Sequence, residues 1–284
     1  MLRRSSTVLR PRPRGARVDQ QAAPLYAADA VPLGVGGLLD AAVELMRRHS
    51  LALWGGAVLL CVPVEVVRLA LLRGQGLEFG RMADLPWYSL YGMLGMAVQV
   101  GLLPLAAALA LRESGLHGES GGASSALRVA YGRPVALLAL APVLLAAMLL
   151  SAGGCPCFFP GILLAWLLCA APAVLVLEGR DALSACARSF ELARGGLGRW
   201  FCWWSVIWVA DTALQVGVSQ LAEPGVRDRV LEFVPLGGAT YDVSLALVTA
   251  PLLGLGKALF ASGCALWYLE QRLHHERAAE ARVA

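Results

Sequence analysis

The chain has 284 residues, of which 58% are hydrophobic and only 15% charged, with a mean hydropathy of +0.63. An average soluble domain carries about a quarter charged residues and fewer apolar ones, so a soluble fold is excluded, and so is a disordered chain. The formal net charge of +4 is modest. The expected fold class is all-α, a polytopic membrane bundle of six transmembrane helices with interfacial amphipathic helices.

Residues 1–32 form the first unit, a basic arm expected to be disordered and cytoplasmic. Arg3, Arg4, Arg10, Arg12, Arg14 and Arg17 occur there before the first acid. Each arginine near an anionic lipid surface contributes roughly 1 kcal/mol to attraction. The arm has no apolar core of the kind a secretory signal needs. An Arg- and Ser-rich start also fits a mitochondrial transit peptide, but Pro11 and Pro13 would break its helix.

Residues 33–271 form the membrane domain, and 272–284 a cytoplasmic tail. A helix needs about 20 apolar residues to cross the hydrocarbon core. Six runs qualify, near 51–72, 88–111, 134–152, 161–177, 200–221 and 243–268. Only helices satisfy their own backbone in lipid, so helices are expected throughout. Placing the N-terminus inside puts 18 of the 24 basic residues in inner segments, against Arg73, Arg81, Arg227 and Arg229 outside. That bias predicts that both termini are cytoplasmic.

Three inner segments carry helical periodicity. In 38–48, Leu39, Val43 and Met46 oppose Asp40, Glu44 and Arg47. A shorter version runs from Ser124 to Tyr131. In 180–194, Ala182, Leu183, Cys186, Phe190 and Ala193 share one arc, while Asp181, Ser184, Arg188 and Glu191 lie opposite. The reading is a threefold repeat, an interfacial helix followed by a transmembrane hairpin, with ordinary solvated loops as the alternative. Arg47, Arg48, Arg133, Arg188, Arg194 and Arg199 at these edges are candidate lipid-headgroup contacts.

Charges inside spans are costly unless paired or hydrated. Glu65 and Arg68 stand three apart on one helical face and can pair, with Arg68 also able to snorkel to the outer surface. Asp211 and Lys257 fall at matching depths in the fifth and sixth spans. They form either an ion or solute pathway or a structural pair.

Patterns of catalysis fail on context. Gly118-Glu119-Ser120-Gly121-Gly122, beside His117, spells a nucleophile elbow but sits between membrane helices with no strand to support it. Gly256-Lys257 lacks the first glycine and the hydroxyl residue of a phosphate-binding loop. The four histidines lie apart, at 49, 117, 274 and 275, and are expected at the surface. Cys155-Pro156-Cys157 has no second pair to complete a zinc site, leaving an inert or a redox role. No catalytic residue, metal or cofactor is expected.

The run from Leu177 to Gly195 resembles a motif of bacterial integral membrane proteins related to the membrane domain of glycerophosphoryl diester phosphodiesterases. Glu178, Gly179, Ala182, Leu183, Arg188, Ser189, Leu192 and Gly195 carry the likeness, with one residue of slack. The Leu39-Asp40-Ala41-Ala42 segment and Tyr268 leading to Gln271-Arg272 agree with it. The resemblance implies a six-helix bundle with cytoplasmic termini and no enzyme domain in this chain. The expected function is that of a non-enzymatic inner-membrane protein, interacting with lipids or scaffolding other membrane proteins, with no nucleic-acid partner. The alternative is a small-solute transporter or channel using Asp211 and Lys257.

Overall fold

The computed structural model describes residues 34–75, 85–114, 123–152, 163–164, 166–194, 196–221, 229 and 238–283. The basic arm, the nucleophile-elbow spelling and Cys155-Pro156-Cys157 lie outside them. Among the described residues every regular element is helical.

Helix α1 spans Val35–Arg48. Leu38, Ala42 and Leu45, spaced four and three apart, form one fully buried stripe. The chain turns at His49 and enters a π-helical stretch, Leu51–Gly55, which runs into α2, Gly56–Gln75. Then follow α3, Leu85–Glu113; α4, Ala123–Tyr131; and α5, Pro134–Ala152. Pro134 suits a first helical position, where its missing N–H costs nothing. The remaining elements are α6, Ala171–Leu177; α7, Ala182–Arg194; α8, Leu197–Leu221; and α9, Gly238–Val283.

Helix α9 is the axis of the molecule. It packs on α2 and α3 along much of its length, and on α1 and α8. Small residues permit the approach. A Cβ at Gly254 would lie 3.1 Å from the Val58 backbone nitrogen, and one at Gly263 would lie 1.8 Å from the Trp203 ring. Against that gap sits a stack of indoles: Trp200 and Trp203 have centroids 5.0 Å apart, Trp200 and Trp267 4.3 Å. Trp54, in the π-helical stretch, donates its indole N–H to the Pro251 carbonyl at 2.9 Å. On the far side of α3 lie α4 and α6, with α7 against α5 and α6.

Two described helices are long and apolar enough to cross a membrane, within Leu51–Ala70 and Val243–Arg277. A third crossing is present if α4 and α5, bent by 49°, count as one broken span. The fourth expected run is not one continuous helix. A turn at 168–170 separates the residues before it from α6. Pro172, in the first turn of α6, has no N–H to bond back across that turn, so the helix restarts there. Helix α9 shows no break at the expected tail boundary near 272. At 1.5 Å per residue its 46 residues reach about 69 Å.

The buried face of α7 is rotated from the expected arc. Ala185, Ser189, Leu192 and Ala193 are buried, whereas Leu183 is 72% exposed and Phe190 39%. Ser189 explains the rotation: its hydroxyl donates to the Leu167 carbonyl at 2.7 Å, so a polar residue can face inward. Asp181 starts the helix by accepting from the Ser184 backbone N–H and hydroxyl.

Candidate functional site

Two groups of charges organise the interior. The first joins α2, α3, α8 and α9. Lys257 donates to Asp211 at 2.6 Å, and both side chains are buried. Glycines clear the space: a Cβ at Gly256 would lie 2.9 Å from Asp211 Oδ1, and one at Gly95 would lie 3.6 Å from Lys257 Nζ. On α2, Arg68 holds Glu65 at 2.7 Å. Each of the two ion pairs is formally neutral. Gln99 lies one turn beyond Gly95 on α3, buried, with no donor to its side-chain oxygen among the described residues.

The expected Asp211–Lys257 pair is formed. The expected Glu65–Arg68 pair is also formed, but Arg68 does not snorkel. It is 5% exposed, because a partner one helical turn away and the neighbouring helices enclose it.

The second group gathers at the end of the bundle where α1, α3, α7 and α9 carry their polar residues. Arg47 and Arg48 both bind Glu44, at 2.7 and 2.8 Å. Those two hydrogen bonds hold the Glu44 carboxyl down at about 2. Arg48 also reaches Glu113 at the end of α3, at 3.0 Å, and His49 meets the same carboxylate at 3.0 Å. His49 is thus an internal partner, contrary to the surface position expected of it. Its place at the kink after α1 turns it toward α3.

Glu178 is the hub of the next cluster. Tyr268 of α9 donates to it at 3.2 Å, Arg180 lies at 2.8 Å and Arg188 at 3.7 Å. Arg188 also holds Glu191 at 3.1 Å. Gly179 has φ +69, a left-handed conformation that glycine adopts without strain. This lets the chain turn so that Glu178 faces inward and Arg180 outward. Arg133 donates to the Arg180 carbonyl at 3.5 Å. Nearby, Arg199 holds the fully buried Glu270 at 2.8 Å.

Of the six arginines expected at lipid headgroups, Arg48, Arg188 and Arg199 are therefore committed to carboxylates inside the protein. Arg47 is bound to Glu44 but is 74% exposed. Arg133 is exposed, and Arg194 is exposed with its guanidinium 4.9 Å from the Phe190 ring. Sequence reasoning missed Glu113, Glu178 and Glu270 as partners. Their signal was present: each is an acid at the end of an apolar run, within two residues of an arginine (Arg112, Arg180 and Arg272).

Chemically, the described residues of the site pair opposite charges. Among the described residues, no three His, Cys, Asp or Glu side chains gather as metal ligands. Comparison with protein-family models, curated proteins and solved structures finds no match to this chain.

Proposed function

We propose that this chain is a non-enzymatic integral protein of a bacterial inner membrane. It is a six-span bundle with both termini in the cytoplasm, acting as a lipid-interacting scaffold for other membrane proteins. The observation that carries the reading is the closure of the interior charges on one another. Asp211 and Lys257 are in direct contact between glycines, which favours a packing lock over a hydrated path. The lengths of α3 and α8, 29 and 25 residues, support further crossings. Exposed apolar residues beside exposed arginines support lipid contact: Leu127 and Val129 flank Arg128, and Phe190 lies against Arg194. Kinship with the membrane domains of glycerophosphoryl diester phosphodiesterases belongs to the same proposal. Its motif residues Glu178, Gly179, Arg188 and Ser189, with Tyr268, are the ones that join α6, α7 and α9.

Transport is the second reading, favoured by two buried ion pairs, Glu65–Arg68 and Asp211–Lys257, in the helical interior. Proteoliposomes separate the two. The scaffold reading expects the paired variant D211N/K257M to stay folded and to retain phosphatidylglycerol in native mass spectra. A proton or solute flux in the native protein that vanishes in this folded variant would establish transport instead.

A further inference from the structure

We propose that the corner made by Arg133 and Arg180, at the head of the seam between α5 and α7, is a site for the headgroup of one anionic phospholipid. The inference rests on the lipid-interacting reading above and gives it a place and a partner. Two glycines shape the corner. A Cβ at Gly132 would lie 2.6 Å from the Arg128 carbonyl oxygen, so glycine permits the tight turn at which α4 ends and the chain bends by 49° into α5. On the other side Gly179 turns the chain at φ +69, and a Cβ there would lie 3.4 Å from Arg133 Nη1. The Arg133 side chain thus lies over the 179–180 backbone, where it donates to the Arg180 carbonyl at 3.5 Å. Its own carbonyl accepts from the Leu137 N–H at 3.1 Å and so opens α5.

A guanidinium carries five N–H donors. Arg180 spends its Nε on Glu178 at 2.8 Å, and Arg133 meets only a carbonyl oxygen among the described residues. Both arginines are exposed. Their remaining donors can take the oxygens of one phosphate, the pairing that planar guanidiniums favour. The carboxylates nearby are already engaged: Glu178 by Arg180, Arg188 and Tyr268, Asp181 by Ser184, and Glu191 by Arg188. Arg133 is left as the charge of the corner that no carboxylate answers among the described residues.

Depth and surroundings select a lipid. The apolar stretch Val243–Arg277 is centred on Phe260, and Tyr268 stands eight residues beyond it (268 minus 260). With α9 upright across a bilayer, helical rise puts Tyr268 about 12 Å from the midplane. That is close to the boundary of a hydrocarbon core about 30 Å thick. Tyr268 binds Glu178, the residue before the Gly179 turn, so the corner sits at the level of headgroups. Farther along α5, Val135 and Leu138 are exposed three apart on one face, and Leu183 is exposed on α7, which packs against α5. An acyl chain laid on those side chains carries its phosphate to the two arginines. Apolar burial and charge pairing then act on one molecule, as they do for interfacial helices.

The test titrates phosphatidylglycerol, and separately phosphatidylcholine, into the full chain in detergent and counts bound lipid by native mass spectrometry. One saturable phosphatidylglycerol is expected on the native chain, held more tightly than phosphatidylcholine. R133Q and R180Q should each weaken it about tenfold, the scale of a lost hydrogen bond to a charged group. R47Q removes an equal charge from α1 and should leave the affinity as it is. Equal binding by the native chain, R133Q and R180Q overturns the site and leaves the lipid-interacting reading standing. Equal weakening by R47Q, or equal affinity for the two lipids, does the same. No retention of either lipid by the native chain would sink the broader reading as well. A lipid-free dimer that R133Q splits would assign the seam to a second copy and overturn the site. Should a glutamine variant fail to fold, phosphatidylglycerol with a photoreactive diazirine beside its phosphate decides on the native chain. Its linked peptides should contain residues 132–138 or 179–183, and linkage only elsewhere overturns the site.

Discussion

Asp211 and Lys257 show how a buried helical interior tolerates charge. Either group alone would be left uncompensated, and removing one partner of a buried pair typically costs about 3–5 kcal/mol. D211A should therefore unfold at lower temperature in detergent, and D211A/K257A should recover part of that loss. A paired variant less stable than D211A would show that these residues act apart. Half-buried Glu44 is a milder case. Its carboxyl titrates near 2, below its ordinary 4.5, because Arg47 and Arg48 bind its charged form. A lowered folded value means that the benefit is present above pH 4.5 and fades as pH falls toward 2. Stability measured between pH 5 and 2 (both set by that shift) should fall less steeply in E44Q than in the native chain, and equal slopes would show that the pair is idle. The Asp211–Lys257 pair was legible in the sequence because helical rise converts residue count into depth, and two opposite charges at one depth find each other. Arg68 was misread because rise gives depth but not azimuth: the count placed it near water, and the packing of neighbouring helices covered it.

The elements were legible where apolar runs are long, as in α2, α3 and α5, although each carries a proline inside it. The break before α6 was signalled only by Pro172, whose missing N–H competes with a strongly apolar run. In α7 the helix itself was legible, and the orientation was not. Ser189 counts as polar in any periodic reading, yet it faces inward because the Leu167 carbonyl accepts its hydroxyl. Leu192 and Phe190 now make opposite predictions. L192D places a carboxylate on the buried face and should abolish the folded protein, since an unpaired buried charge is too costly to keep. F190D alters an exposed side chain and should leave the detergent-solubilised fold intact while weakening association with lipid. Folded yield and thermal midpoint, measured side by side, check both. Equal loss in the two variants would overturn the observed orientation of α7.

At the scale of the whole molecule, the arrangement follows α9. It contributes Lys257 to the first charge group and Tyr268 and Glu270 to the second, so one helix fixes the spacing between them. The clustering of arginines between the apolar runs was legible in the sequence. The partners of those arginines were not, because pairing with Glu113, Glu178 and Glu270 depends on which helix ends meet. Arginine counts still carry a prediction about orientation. A cytoplasm-active reporter fused after Ala284 should be active, as should a periplasm-active reporter at Gly74. Silence of either in a well-expressed fusion would require a different number of crossings.

The indole stack has an optical consequence. Trp200 is nearly parallel to both neighbours, tilted 12° from Trp203 and 19° from Trp267. Three chromophores this close exchange excitation, so their absorption bands couple into a signed doublet in near-ultraviolet circular dichroism. Two of the rings belong to α8 and the third to α9, so the Trp200–Trp267 part of the signal exists only while those helices are docked. Loss of tertiary packing with helices retained would erase it and leave the far-ultraviolet spectrum standing. Replacing Trp267 with Phe should remove the part of the signal that crosses between helices. The chain thus carries its own spectroscopic gauge of whether its longest helix is seated.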